Sequence, residues 1–284
     1  MAPPSPARSS SRHAGASPIG EQLLQEGFGR RVVVEHDGGA VRKTFHAGPA
    51  QERGDRARAE FARLGRFSAA LEHVPGAQCP RPLELLSHPP GLRMTRVPGV
   101  DLFAYLRRGR LDGATRDRLA ATMAGALGAY VEALGEPHPD FKFDNVLYDA
   151  GGGGLAFVDL GRPQDATAPA AGASAYEVTL GDLLGAVVFQ SAQPRHLLRR
   201  AQHRRTAALA LAVVLACAAL PGATVRDEQV ARAAGAAYRR CAFGRSAARS
   251  AWYATVGLVA GRRVRLPSRV VGPVLPRGGA PGAA

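Results

Sequence analysis

One asparagine, Asn145, and two lysines, Lys43 and Lys142, are all that 284 residues hold of these two residue types. Lys and Arg together number 37, so nearly every cation is an arginine. A composition this rich in Ala, Gly, Pro and Arg suits a GC-rich genome, in which Lys and Asn drift to other residues. Those that remain then mark positions that Arg or Asp cannot fill, because a compact ammonium and a planar guanidinium fork are not interchangeable where geometry matters. Cysteine is also scarce. Cys79, Cys217 and Cys241 show neither C-x-x-C spacing nor a Cys/His cluster, which excludes a disulfide framework, argues against structural zinc and fits a reduced, cytoplasmic setting. Aromatic residues make up 6%, leaving few stacking platforms for single-stranded nucleic acid. No secretory signal is expected, since the first 18 residues hold no apolar run. The longest apolar run, Ala207 to Leu220, is closed by Pro221-Gly222. It falls short of the ~20 residues a membrane span needs, so a buried core helix and no transmembrane span are expected.

What is present points to a globular chain. Apolar residues make up 46% and charged residues 21%, and the length suffices for one large domain or two lobes. The formal charge of +14 suits an anionic ligand or partner. Because the arginines are scattered, most read as a solvated surface; nucleic acid is not expected as a partner. Such a surface could also touch an anionic membrane face peripherally. Nothing in the sequence indicates an oligomeric state. Residues 1–18, rich in Pro, Ser and Arg, read as a disordered tail. They are acid-free like a transit peptide, although the same composition is ordinary in such a genome. Residues 266–284 form a Pro/Gly tail, also expected to be disordered.

Between the tails, Arg31-Val-Val-Val-Glu35 and Ala40 to Phe45 read as strands around the hairpin signal Asp37-Gly-Gly39. Arg53 to Leu71 is helical, with Ala57, Phe61, Leu64 and Phe67 recurring at helical spacing. Leu83 to Leu86 and Leu92 to Thr95 read as strands. Leu102 to Arg107 is amphipathic, and Leu111 to Leu134 is a long helical pattern stopped at Gly135-Glu-Pro137. Val146 to Tyr148 and Leu155 to Val158 flank a glycine-rich tip as a hairpin. Tyr176 to Gln190 reads as a buried helix, followed by further Ala- and Arg-rich helices over 196–260.

Two of the three rare residues lie in one stretch, His138-Pro-Asp-Phe-Lys-Phe-Asp-Asn-Val-Leu-Tyr148, followed by Phe157-Val-Asp-Leu-Gly161. It has the form H-x-D-x-K-x-x-N, a turn, then an acid ahead of a glycine. The third, Lys43, ends the run Ala40-Val-Arg-Lys. Here the chain resembles the protein-kinase-like superfamily, with its H-R-D-x-x-x-x-N loop, D-F-G and V-A-I-K motifs. That superfamily also holds aminoglycoside, choline and lipopolysaccharide-core kinases. The resemblance is specific at 138–161, looser at 43–60, and extends over roughly 22–190.

The resemblance implies an α+β, bilobal protein-kinase-like fold: a small antiparallel-sheet N-lobe over 19–96 and a mainly helical C-lobe over 97–265. It also implies an ATP-dependent phosphotransferase acting on a hydroxyl with Mg²⁺ as cofactor. Asp140 would orient or accept the hydroxyl proton, and Lys142 would reach the γ-phosphate. Asn145 and Asp159 would hold Mg²⁺, for which their hard oxygens are suited. Lys43 would grip the α/β-phosphates. Burying its ammonium demands a carboxylate, for which Glu60 is chosen ahead of Glu52; the alternative for Glu60 is an ordinary i,i+3 pair with Arg63 on its own helix. Gly27 and Gly29 would be the tail of a glycine-rich loop, although a plain turn explains them as well and the full G-x-G-x-x-G is absent. Met94 to Val97 would be the hinge whose backbone meets adenine. His138 would shape the loop. Asp182 would hold the loop backbone, or else sit exposed in the first turn of its helix.

Two departures have consequences. Pro139 replaces the Arg of H-R-D, removing the partner of an activation-loop phosphate. No phosphorylation switch is then expected in 162–181, and alanine at Thr167, Ser174 and Thr179 together should leave activity unchanged. Leu160 replaces the Phe of D-F-G. The interval from Asp159 to Asp182 is short and lacks A-P-E, favouring a small molecule, sugar or lipid acceptor, whereas Lys142 is the residue Ser/Thr protein kinases use. A non-catalytic nucleotide-binding pseudokinase is the alternative outside enzymology.

Overall fold

Alternation along Ala40–Phe45 sends Val41, Lys43 and Phe45 to one face of a strand, and all three are buried. A lysine between two core residues must find a carboxylate inside, and that need organises the first half of the molecule. The computed structural model describes residues 22–27, 30–35, 38–109, 111–161, 172–193 and 200–243. Both expected disordered tails, Gly29 and Thr167 lie outside these ranges.

The first lobe is an antiparallel sheet of five strands. In chain order these are β1 (Gln22–Gly27), β2 (Arg30–Val34), β3 (Ala40–Phe45), β5 (Pro82–Ser87) and β6 (Pro90–Thr95), arranged β1-β2-β3-β6-β5. The β2–β3 hairpin forms where Asp-Gly predicts it, closed by Glu35 N–H to the Ala40 carbonyl at 3.0 Å. Strand β1 was not expected; it pairs with β2 through a register shift between Leu23 and Gln25. Helix α1 (Ala50–Leu71) packs against β3, β5 and β6. Its buried stripe is Ala57, Glu60, Leu64, Phe67 and Leu71, one face of a 3.6-residue period. Phe61, expected in that stripe, is only partly buried; the carboxylate of Glu60 takes the inward position.

The second lobe is mainly helical. A small four-stranded sheet opens it, ordered β4-β9-β8-β7: β4 (Ala77–Gln78), β7 (Val100–Asp101), β8 (Val146–Tyr148) and β9 (Leu155–Phe157). Helix α2 (Leu102–Arg108) is capped by Asp101, whose side chain accepts from Ala104 N–H at 2.6 Å. Helix α3 (Gly113–Leu134) is capped by Asp112 and closed by Gly135 in the left-handed region, φ +69°. Helices α4 (Ala175–Ala192), α5 (Arg200–Ala218) and α6 (Asp227–Phe243) complete the lobe. Helices α4 and α6 meet at nearly backbone contact: a Cβ at Gly181 would lie 2.3 Å from Ala233 Cβ. Only glycine allows that approach.

This is the α+β, two-lobed arrangement the resemblance implies, with a sheet-plus-helix lobe ahead of a mainly helical one. Among the described residues, no helix is long and apolar enough to cross a membrane. The run from Ala207 lies in α5 as far as Ala218, and Ala207, Leu209, Ala210, Val213 and Cys217 are core residues. Burial pushes the thiols of Cys79 and Cys217 up to about 12, so both are inert hydrophobes.

Candidate functional site

Three side chains from three elements converge where the lobes meet. Lys43 Nζ donates to both Glu60 carboxylate oxygens and to Asp159 Oδ1, each at 2.7 Å. An ammonium has three protons, and here each has an acceptor. Glu52 is exposed in the first turn of α1, and Arg63 pairs instead with Glu136 at 2.6 Å. Burial would push the Lys43 pKa down, but the carboxylates of Glu60 and Asp159 outweigh it and hold the pKa above its ordinary value. Gly161 makes room for the pair: a Cβ there would lie 2.7 Å from Glu60 Oε2.

Asp159 is the junction of the cluster. It follows β9 with φ +63°, the one described non-glycine residue at positive φ. Asp tolerates this conformation better than most residues, and such strain gathers at functional sites. Besides Lys43, its carboxylate accepts from Arg30 Nη1, at 2.8 Å to Oδ1 and 2.6 Å to Oδ2. Burial pushes its pKa up, but Lys43 and Arg30 bring it down to about 2. The sequence did not single out Arg30. In a chain whose cations are nearly all Arg, one more carried no contrast; its position just after Gly27 and Gly29 was the available signal.

The second group lies on the loop ahead of β8. Lys142 Nζ donates to Asp140 Oδ2 at 2.6 Å. Asn145 Nδ2 donates to the same oxygen and to the Asp140 carbonyl, both at 2.9 Å. Among the described residues these contacts leave Asp140 Oδ1 and Asn145 Oδ1 as available acceptors. Burial would lower the Lys142 pKa, but Asp140 outweighs it and raises it. The hairpin links the two groups: Val146 pairs with Phe157, and Val158 N–H donates to the Asn145 carbonyl at 2.9 Å. Residue 145 therefore sits opposite the approach to Asp159, as antiparallel pairing predicts.

Helix α4 holds this loop, through residues that sequence reasoning did not assign. His138 N–H donates to Thr179 Oγ1 at 3.0 Å, and Gln190 Nε2 donates to Asp144 Oδ2 at 2.6 Å. These positions lie three helical turns apart on one face. Asp182, expected to hold the loop backbone, pairs with Arg240 of α6 instead. Thr179, one turn earlier, does the holding. Burial still pushes the Asp182 pKa up to about 6 against the pull of Arg240. Neutrality of alanine at Ser174 and Thr179 does not follow either. Thr179 is buried under the loop, and Ser174 forms a capping box with Glu177 at the start of α4.

His138 is buried among the rings of Phe67, Tyr130 and Phe141. Its Nδ1 accepts from Asp140 N–H at 3.3 Å. Burial pushes its pKa down to about 3, so it stays neutral and shapes the loop. Of the remaining candidates, Gly27 ends β1 in register with Arg30, Met94 is buried in β6 opposite Val41, and Val97 is half-buried between β6 and β7.

Among the described residues, no three His, Cys, Asp or Glu side chains cluster closely enough to hold a metal ion unaided. Asp159 and Asn145 Oδ1 are hard oxygen donors, one charged and one neutral. They fit Mg²⁺, which keeps water and substrate phosphates in its shell and draws only one or two protein carboxylates.

The chain matches no protein-family model and no curated protein. Among solved structures, a kinase of the Cydia pomonella granulovirus, PK-1, aligns with 19% identity and a TM-score of 0.36. The alignment covers 49% of this chain and 49% of that one, so the match spans about half the length of each.

Proposed function

We propose that the protein is an ATP-dependent phosphotransferase that moves the γ-phosphoryl group of Mg-ATP to a hydroxyl of a small molecule, sugar or lipid. The observation that carries this reading is Lys43 Nζ held 2.7 Å from both Glu60 and Asp159, with Asp140, Lys142 and Asn145 on the adjoining loop. A buried ammonium held by one acid from α1 and one from the end of β9 has little structural use in a sheet lobe. It suits an anionic ligand between the lobes.

Each residue's role follows from its chemistry. Lys43 binds phosphate oxygens, kept in place by Glu60. Asn145 Oδ1 and Asp159 would hold Mg²⁺, which would supply positive charge against the nucleotide's phosphates. Asp140 Oδ1 accepts the proton of the acceptor hydroxyl as its oxygen bonds to the γ-phosphorus, and the bond from that phosphorus to ADP breaks. Lys142 balances negative charge on the transferring group. Proton transfer by a positioned carboxylate contributes about 10²–10⁴-fold.

A non-protein acceptor is favoured by how soon α4 begins, at Ala175, after Gly161. A peptide-docking segment needs more chain than that. The test is Mg²⁺-dependent ATP turnover by the wild type and Asp140→Ala, with a search for phosphorylated products among metabolites, sugars, lipids and peptides. Turnover lost in Asp140→Ala at unchanged melting temperature is expected. Nucleotide binding with no turnover in the wild type would mean a pseudokinase instead, and phosphorylated peptides would mean a protein kinase.

A further inference from the structure

Arg30 opens β2, opposite Gly27 in the register of β2 with β1. From the sheet lobe it reaches across to Asp159 in the other lobe, with contacts of 2.6 and 2.8 Å. Among the described residues, its Nε is buried without a hydrogen-bond partner. A buried guanidinium N–H without an acceptor is costly, so this fork is only partly satisfied by Asp159.

Charge balance shows what would complete it. Lys43 and Arg30 carry two positive charges, and Glu60 and Asp159 two negative ones. The cluster is neutral, with no excess negative charge to draw a bare divalent ion, and both oxygens of Asp159 are already occupied. Lys43 is anchored, since two of its three protons go to Glu60. Arg30 is the freer cation: its side chain retains 20% exposure against 3% for Lys43. A metal-bound polyphosphate supplies both things the cluster lacks. The metal replaces Arg30 as partner of Asp159, and the phosphate oxygens accept from the guanidinium, whose planar fork they match.

We propose that Arg30 is a polyphosphate-binding residue, parked on Asp159 in the ligand-free protein and transferred to the nucleotide's phosphates when metal and nucleotide bind together. This rests on the phosphotransfer reading of the cleft. It adds that Arg30 excludes a bare metal ion from Asp159 and selects nucleotides by their phosphates.

The experiment is calorimetric titration of the full chain and of Arg30→Gln with Mg-ADP, with adenosine and with Mn²⁺ alone. Arg30→Gln is expected to bind Mg-ADP about tenfold or more weakly, as loss of a charged hydrogen bond implies, and adenosine unchanged. Mn²⁺ alone should bind Arg30→Gln more tightly than the wild type, because Asp159 is then freed. Equal Mg-ADP affinity in the two proteins overturns the inference while leaving the phosphotransfer reading intact. A wild type that binds neither Mg-ADP nor adenosine overturns both. Should Arg30→Gln not fold, Arg30→Lys carries the test, since it keeps the charge and loses the fork. Weaker Mg-ADP binding at unchanged adenosine binding is expected, and unchanged Mg-ADP binding overturns the inference.

Discussion

Glu60 and Glu177 are both buried carboxylates paired with a cation, at 1% and 0% side-chain exposure, yet their cations are bonded differently. Glu177 accepts from Ser174 N–H, from Arg226 N–H and from the Arg226 guanidinium. Arg226 first, then the cap, bring its pKa down to about 2. Its bonds are spent within the molecule: it ties the start of α4 to the segment ahead of α6, and Arg226 also reaches the Gly172 carbonyl. Glu60 also has a saturated partner, but one of the Lys43 bonds goes to Asp159, which belongs to the other lobe and carries a second cation. On the proposed reading, that contrast separates a structural staple from a ligand site. In the staple every donor lies in the same lobe as the acid: two backbone N–H groups and the Arg226 guanidinium. In a site, part of the bonding belongs to groups that a ligand can replace.

The largest effects are expected when each pair loses its cation. Lys43→Met should reduce ATP turnover by more than about 10³-fold and destabilise the fold by about 3–5 kcal/mol, because Glu60 is left charged and buried. Adding Glu60→Gln should restore much of the stability and none of the turnover. If the double variant regains turnover, the pair is a staple like the other. Arg226→Ala should lower the denaturant midpoint by less than Lys43→Met does, because Arg226 is itself solvent-exposed, while turnover per folded molecule stays within a few-fold. A large loss of turnover with intact stability would place that pair in the site.

Two other buried groups give opposite responses to acid. His138 is held neutral in the fold, with a pKa of about 3 against an ordinary 6.5, so the unfolded state binds the extra proton and stability falls as pH drops below about 6.5. Asp182 is raised to about 6 from 3.8, so the folded state takes its proton first and stability rises as pH falls through 6. The two nearly cancel near pH 4.5. His138→Phe should therefore gain, and Asp182→Asn lose, about 2 kcal/mol relative to the wild type between pH 7 and pH 4.5. Parallel stability curves for all three proteins would contradict the burial of both groups.

The smallest effect expected is at Thr179. Thr179→Ala leaves the buried His138 N–H unpartnered and should cost about 1–2 kcal/mol with a modest fall in turnover; Thr179→Ser should recover both.

The strongest part of the candidate site was legible because its residues are close in sequence or rare. Asp140, Lys142, Asn145 and Asp159 lie on one loop and hairpin, where strand pairing follows from local pattern. Lys43 stood out in a chain almost without lysine. Glu60 was legible in part, as a carboxylate at the right helical distance with Arg63 as a rival; the inward turn of α1 decided between them. Arg30, Thr179, Gln190 and the Asp182–Arg240 pair were not legible. Each contact spans from 41 to 129 residues, and one arginine among so many carries no mark of its own.

Most strands and helices, the grouping of polar residues on the 138–148 loop and the need of Lys43 for an acid were set by neighbours along the chain and by desolvation, which acts on any buried charge; β1, β4 and β7 were not. Only the tertiary structure decided which acid, which threonine and which arginine would meet. Partner choice between distant segments is settled by how α1, α4 and the sheet pack against one another, and many arginines of equal charge compete for each carboxylate until that packing brings one of them within reach.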